Sequence, residues 1–373
     1  MFDSLENASV ENIIVGRKEC FHKEIYEMEK KKELNVAIIG AGWAGMMAAD
    51  AYESVHEANI AVIIDTAEGA GITLAKKHKC EWSNDYEEVL DRPNIDMVDV
   101  CTPPFLHTEH SVKAAEAGKH VCCQKPLALS LKDCDEIMNA ANKNKVKLIV
   151  QEMTRFGEPF VRTREMIDKG MLGIPEITYW NQVITAKFAA ERPQIMNRKK
   201  SGAMLIDYNV HAYDLLSWYH GEVSEVYAAV SRMHPILKNL GPDEDHGVVT
   251  LRFKDDSMGI VEGSYSSTMN TPIWRIQTIG TKGTVEVEQN PFSLPFSYKY
   301  RFTEIEGPTQ EWFTTKHGFS ERAAYFVKCI LKDGPIERST AAQAKKAVEI
   351  GLAAIESTER NAPVKLPPKK VRL

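Results

Sequence analysis

A β-branched run, Val36-Ala37-Ile38-Ile39, opens directly into Gly40-Ala41-Gly42-Trp43-Ala44-Gly45, and the helix formers Met46-Met47-Ala48-Ala49-Asp50-Ala51-Tyr52 follow without a break. A continuous apolar run of this kind is expected of a strand buried on both faces. A Gly-x-Gly-x-x-Gly sequence alone is weak evidence; between a strand and a helix it gains the context that its function needs. Gly40 allows the tight turn, Gly42 lets the backbone approach a pyrophosphate, and Gly45 lets the helix pack on the strand. The free N–H groups at the helix start, around Trp43 and Ala44, then face the phosphates. The plainer reading is a glycine turn in some other α/β unit.

The next strand, residues 60–64, ends in Asp65, 20 residues after Gly45. An acid at this spacing binds both ribose hydroxyls of NAD and repels a 2′-phosphate. The residues that follow, Thr66-Ala67-Glu68-Gly69, include no arginine. NAD is therefore favoured over NADP, against the alternative that Asp65 only caps the next helix. Strand and helix continue to alternate. A helix includes residues 74–78, and a strand over 96–101 breaks at Thr102-Pro103-Pro104. A helix over 107–117 is closed by Gly118. A strand over 119–123 delivers Gln124-Lys125-Pro126, a helix covers 131–142, and a last strand covers 146–150. This alternation predicts a doubly wound parallel sheet, an NAD-binding Rossmann domain over residues 34–153. Lys125 precedes a proline and so is expected to be extended at a strand end. In an open α/β sheet that end faces the ligand crevice. A surface lysine before a turn is the bland alternative.

At 373 residues the chain exceeds what one core usually serves, so two domains are the default. A net charge of −6 argues against a nucleic-acid partner. The seven cysteines are odd in number and contain no Cys-x-x-Cys pair, which disfavours a disulfide framework or a metal site. No apolar run approaches a membrane span, and no signal peptide is visible, so a cytoplasmic protein without a membrane partner is expected. Residues 1–33 read as an N-terminal arm, either partly helical or a disordered tail.

Residues 154–373 form the second unit. A helix is expected over 160–169 and a strand over 176–183, with Arg198-Lys199-Lys200 as a solvated loop. If residues 207–216 are helical, Asp207 and His211 are four apart and share a face, with Asp214 three further on. A carboxylate that orients an imidazole makes a usable general base for an alcohol. A structural Asp–His pair is the alternative. Strands are expected over 223–233, 246–253, 258–266, 274–279, 284–287 and 296–302, several alternating polar and apolar residues. That pattern predicts an α+β domain with a large, mainly antiparallel open sheet. Helices over 321–331 and 341–357 close the chain and can pack back on the first domain, ahead of an exposed tail over 365–370.

The run Asp99-Val100-Cys101-Thr102-Pro103-Pro104, with His107, Ala117-Gly118-Lys119-His120-Val121 and Lys125-Pro126-Leu127-Ala128, resembles the signature of the Gfo/Idh/MocA oxidoreductases. Arg155-Phe156 looks like that family's crossover into the substrate domain. Residues 207–214 are similar to its Asp-x-Gly-x-His-x-x-Asp stretch, with Asn209 in place of glycine. The resemblance implies an NAD(H)-dependent enzyme acting on a secondary hydroxyl of a sugar, cyclitol or related polyol. Lys125, Asp207 and His211 would serve catalysis. Thr102, Pro103, His107 and Gln124 would join Gly40, Gly42, Trp43, Ala44, Gly45 and Asp65 in holding the cofactor. Where the family usually has Glu-Lys-Pro, this chain has Gln124-Lys125-Pro126 and lacks the carboxylate beside the lysine. The family covers its sheet by pairing subunits, which implies a homodimer or homotetramer. Arg155, Lys187, Arg192 and Trp274 are candidate substrate contacts. A redox-neutral enzyme with tightly bound NAD and a non-catalytic NAD-binding regulator are the alternatives.

Overall fold

The structure, a computed structural model, describes residues 33–267, 273–290 and 297–369; the expected arm therefore lies outside it except for Glu33. The first sheet is built from β1 (Leu34–Ile39), β2 (Ala58–Ile64), β3 (Glu81–Ser83), β4 (Met97–Val100), β5 (His120–Gln124) and β6 (Leu148–Gln151). All six are parallel, in the order β3-β2-β1-β4-β5-β6. Between them run α1 (Trp43–Glu53), α2 (Glu68–His78), α3 (Tyr86–Leu90), α4 (His107–Glu116) and α5 (Leu131–Lys143). Val36, Ala37 and Ile38 in β1 have no exposed surface, as their unbroken apolar run requires. Strand order reverses between β1 and β4, so the loops after these two strands diverge and open a crevice. The three-residue β3 and five-residue α3 lack a periodic pattern long enough to read from sequence.

The second sheet has nine strands: β7 (Pro175–Thr185), β8 (Val223–Ser231), β9 (His246–Phe253), β10 (Met258–Ser267), β11 (Ile273–Gly280), β12 (Gly283–Asn290), β13 (Ser297–Glu304), β14 (Thr309–Thr314) and β15 (Val364–Lys365). They run in the order β14-β13-β12-β11-β7-β10-β9-β8-β15. Every pair is antiparallel except the central β7–β10, so the sheet is mixed. The helices of this half are α6 (Glu158–Asp168), the short α7 (Ala186–Ala190) and α8 (Arg198–Ser201), α9 (Val210–His220), the short α10 (Pro235–Lys238), α11 (Phe319–Leu331) and α12 (Ala341–Arg360). Thr178, Trp180 and Gln182 of β7 point inward and are buried, whereas Tyr179 between them is 42% exposed.

Three local expectations are corrected. The basic run at 198–200 forms the helical turn α8, because the Asn197 side chain caps it by accepting from the Lys200 N–H at 3.0 Å. The tail expected over 365–370 begins inside β15, where Lys365 pairs with Glu225 of β8 while its side chain stays exposed. Residues 207–216 are not one continuous α-helix. A π-helical turn over Met204–Tyr208 precedes α9, entered through Gly202 and Ala203, both with positive φ (90° and 50°). A non-glycine residue held there costs on the order of 1–3 kcal/mol, which the fully buried setting of Ala203 must outweigh.

The closing helices pack on the first sheet. Phe319, Ala323, Phe326 and Val327 of α11 share a core with Val36 and Ile38 of β1 and Ala48 and Tyr52 of α1. From this helix Arg322, with no exposed surface, donates through Nη1 to the Cys122 thiol at 2.7 Å and lies 3.8 Å from Asp99. Asp99 is buried in β4, where it accepts from the Tyr52 hydroxyl at 2.8 Å and from Gln151. Burial pushes its carboxyl above the ordinary range, and Arg322 acts in the opposite direction.

Candidate active site

The glycine loop opens the crevice on its first-strand side. Gly40 has φ 103°, and a Cβ there would stand 2.6 Å from the Cys101 carbonyl oxygen. A Cβ on Gly45 would lie 1.8 Å from the Gly40 carbonyl oxygen, so α1 can start here only without a side chain. Gly42 differs: a Cβ would meet nothing within 4 Å. Open space thus faces the uncapped start of an 11-residue helix, where free N–H groups and the helix dipole favour an anion. Asp65 reaches the same loop, accepting from the Ala41 N–H at 2.6 Å and the Ala67 N–H at 2.7 Å. Each of its oxygens keeps a lone pair for a ribose hydroxyl. These residues fit the adenosine and pyrophosphate portions of a dinucleotide. Trp43 is half exposed at the loop's edge.

Across the switch point, Thr102 and Pro103 follow β4, and Gln124 and Lys125 end β5. The Gln124 side-chain oxygen accepts from the Lys125 N–H at 3.0 Å, and the Lys125–Pro126 bond is cis. Lys125 Nζ donates to the Asp207 carboxylate at 2.8 Å and to the Asp207 backbone carbonyl at 2.7 Å. Both side chains remain partly exposed, at 19% and 16%. The lysine's counter-charge therefore comes from the second domain, which answers the missing carboxylate at Gln124. Asp207 is placed for this by the π-helical turn.

His211, in the first turn of α9, does not pair with Asp207. Its Nδ1 lies 2.8 Å from each oxygen of Glu152, the residue just beyond β6. The Glu152 side chain is 4% exposed and is further held by the Thr154 hydroxyl at 2.8 Å and N–H at 3.2 Å. Burial alone would raise this carboxyl; His211 and the Thr154 hydrogen bonds outweigh it and hold the group below the ordinary range. His211 Nε2 has no hydrogen-bond partner among the described residues. The Trp274 ring stands 6.4 Å from the imidazole, centroid to centroid, and its Nε1 is buried without a partner among the described residues. Asn209 sits at φ −83° and ψ −7°, an ordinary helical geometry, so replacing glycine there brings no backbone cost.

Other candidates take different places. His107 is fully buried, with Nδ1 2.7 Å from the Pro126 carbonyl and Nε2 2.8 Å from the Thr102 carbonyl. Burial lowers it to about 4 against the opposing pull of those carbonyls. It braces the Thr102 loop against the Lys125 loop, so it supports the crevice from behind and does not reach into it. Arg155 is also withdrawn: it forms a buried ion pair with Asp214, Nε–Oδ2 2.5 Å and Nη2–Oδ1 2.9 Å. Asp214 therefore does not join the Asp207 face. Lys187 is exposed on α7, and the Arg192 guanidinium lies 4.0 Å from the Phe188 ring centroid. Of the four candidate substrate contacts, Trp274 is the one beside His211. Glu152 carried no sequence signal beyond being an acid at the carboxyl end of a strand, one residue past the Gln124–Gln151 register pair.

Fold and site together define a two-domain, dinucleotide-dependent oxidoreductase. The chain belongs to the Gfo/Idh/MocA family: residues 34–152 match its NAD-binding Rossmann domain and residues 160–286 its C-terminal domain. It is 28% identical over 345 residues to myo-inositol 2-dehydrogenase of Thermotoga maritima, covering 89% of this chain and 98% of that protein. It is 27% identical over 344 residues to scyllo-inositol 2-dehydrogenase (NAD(+)) of Bacillus subtilis, covering 91% and 98%. The crystal structure of a probable dehydrogenase from Thermotoga maritima superposes with a TM-score of 0.75 at 26% identity, covering 89% of this chain and 99% of that one.

Proposed function

We propose that the protein is an NAD(H)-dependent dehydrogenase that oxidises a secondary hydroxyl of a cyclitol, sugar or related polyol, or reduces the corresponding ketone. The observation that carries this reading is the Lys125–Asp207 contact at 2.8 Å, which joins a cation at the switch point of the dinucleotide domain to the second domain's acid. His211 stands four residues further along the same chain segment, its Nε2 free to act on a substrate. The two inositol dehydrogenases support the substrate class.

A bound nicotinamide would accept the carbinol hydride. His211 Nε2 takes the hydroxyl proton as the O–H bond breaks and the C=O bond forms. Lys125 donates a hydrogen bond to the same oxygen and stabilises the negative charge that develops on it. Asp207 holds the Lys125 ammonium in place. In the reverse direction His211 returns the proton and Lys125 polarises the carbonyl. Asp65 favours NAD over NADP, because its carboxylate would repel a 2′-phosphate beside the glycine loop. The exposed outer face of the second sheet, with Tyr179, Tyr227, Val248 and Met258, supports a homodimer or homotetramer.

The test is a panel of cyclitols, aldoses, anhydro sugars and glycosides followed by NADH absorbance, with NAD and NADP as alternative oxidants. NADH formation with at least one cyclitol or sugar, and a clear preference for NAD, is the expected result. Substrate consumption without NADH release would overturn net dehydrogenation in favour of redox-neutral chemistry.

A further inference from the structure

We infer that Glu152 is a positioning residue for His211: it fixes the ring with the proton on Nδ1 and supplies the counter-charge when Nε2 takes up a substrate proton. The inference rests on His211 acting as the base in the proposed reaction.

The geometry is specific. A carboxylate offers only acceptors, so a nitrogen 2.8 Å from both of its oxygens must carry the hydrogen. One N–H is shared between two oxygens, and the ring plane is held by that fork. The remaining lone pair then lies on Nε2, the atom with no partner among the described residues. Glu152 is itself immobilised, because the Thr154 hydroxyl and N–H both bind its Oε1.

The charges around the ring allow the assignment. Arg155 is matched by Asp214 and Lys125 by Asp207. Glu152 has no ion-pair partner among the described residues other than His211. A buried carboxylate left without a cation is costly, and the cost falls when the imidazole becomes an imidazolium. Proton transfer from the substrate hydroxyl to Nε2 therefore converts a charge–neutral contact into a buried ion pair. The hydroxyl loses its proton to Nε2 as its O–H bond breaks, a bound oxidised nicotinamide would take the carbinol hydride, and the imidazolium later releases the proton to water. Gln124 stands where the family usually has a carboxylate beside the lysine; here an acid instead serves the histidine, one position beyond the neighbouring strand.

The experiment compares Glu152→Gln, Glu152→Asp and His211→Ala with the unaltered enzyme, using NAD and a substrate found in the panel. Melting temperature and NAD affinity serve as folding controls. For Glu152→Gln, kcat is expected to fall about 10²–10⁴-fold, because an amide N–H facing Nδ1 favours the opposite tautomer. KM stays within about 3-fold, because Glu152 leaves substrate binding to other groups. The acidic limb of the oxidation pH profile moves to lower pH, because the carboxylate that favours the imidazolium is gone. Glu152→Asp keeps the charge and is expected to restore the limb. A Glu152→Gln enzyme with unaltered kcat and an unmoved limb overturns the inference if His211→Ala is inactive. If His211→Ala retains full turnover, the fault lies in the assignment of the base itself.

Discussion

Lys125 takes its place in the crevice from how its chain neighbours hold it. The following proline keeps it out of a helix, and the strand before it points it at the crevice. Its ammonium then meets two oxygens of Asp207 from the other domain. Removing one donor to a developing oxyanion typically costs a factor of about 10²–10³ in kcat. Lys125→Ala is accordingly expected to lose that much in turnover while NAD binding, measured by fluorescence or calorimetry, stays within a few-fold. Full turnover with intact NAD binding would remove Lys125 from the mechanism. Lys125 and His211 stood out in the sequence as candidates because each sits in a pattern with a mechanical meaning. The expected pairing of Asp207 with His211 does not form, because i,i+4 spacing implies a shared face only in a regular α-helix. The π-helical turn breaks that rule, and the partner of His211 comes from the residue just beyond β6, 59 residues earlier.

At the scale of an element, α9 carries a histidine at each end in opposite environments. His211 at the start meets a carboxylate. His220 at the end is 8% exposed, its Nε2 2.8 Å from the Thr178 hydroxyl and its Nδ1 3.0 Å from the Ser257 hydroxyl. Burial lowers His220 to about 4, with Asp255 pulling weakly the other way. An unfolded histidine titrates near 6.5, so the unfolded chain binds the proton first as pH falls. The contribution of His220 is therefore complete above about pH 6.5 and is lost between there and about pH 4. It amounts to at most about 3 kcal/mol over that window. Urea unfolding at pH 7 and pH 4.5 should show a shallower decline for His220→Asn than for the unaltered protein. Equal declines would mean that His220 titrates normally in the fold. Elements long enough to show a period, such as α5 and β9, stood out in the sequence. The two-residue β15 did not, since its pairing with β8 depends on where α12 ends.

For the whole molecule, one domain brings the glycine loop and Lys125, and the other brings Asp207 and His211. The inner face of the nine-stranded sheet is occupied by this work and by α6, α9 and α12. The outer face leaves Tyr179 at 42%, Tyr227 at 39%, Val248 at 38% and Met258 at 45% exposure. Exposed apolar residues on four neighbouring strands are the basis for the proposed subunit contact. Light scattering should return a dimer or tetramer mass, and Tyr179→Glu with Val248→Glu should lower it; a monomer mass for the unaltered chain would refute the assignment. This level was the most readable in advance, because alternating strands and helices, followed by period-2 strands, leave few ways to arrange the layers.

Arg322 has a consequence for how the molecule is made. Ribosomes deliver chains from the N-terminus, and Arg322 emerges 200 residues after its contact Cys122. At about 5–20 residues per second that gap is roughly 10–40 s. Throughout it, Asp99 sits in an otherwise apolar strand without its guanidinium partner, and the β1 face that Phe326 will cover is open. The dinucleotide domain is synthesised before the second domain but is completed only after α11 has emerged. Nascent chains halted before residue 319 should thus be cut more readily by protease within residues 34–153 than released chains, and equal resistance would show that the sheet matures without its final helix.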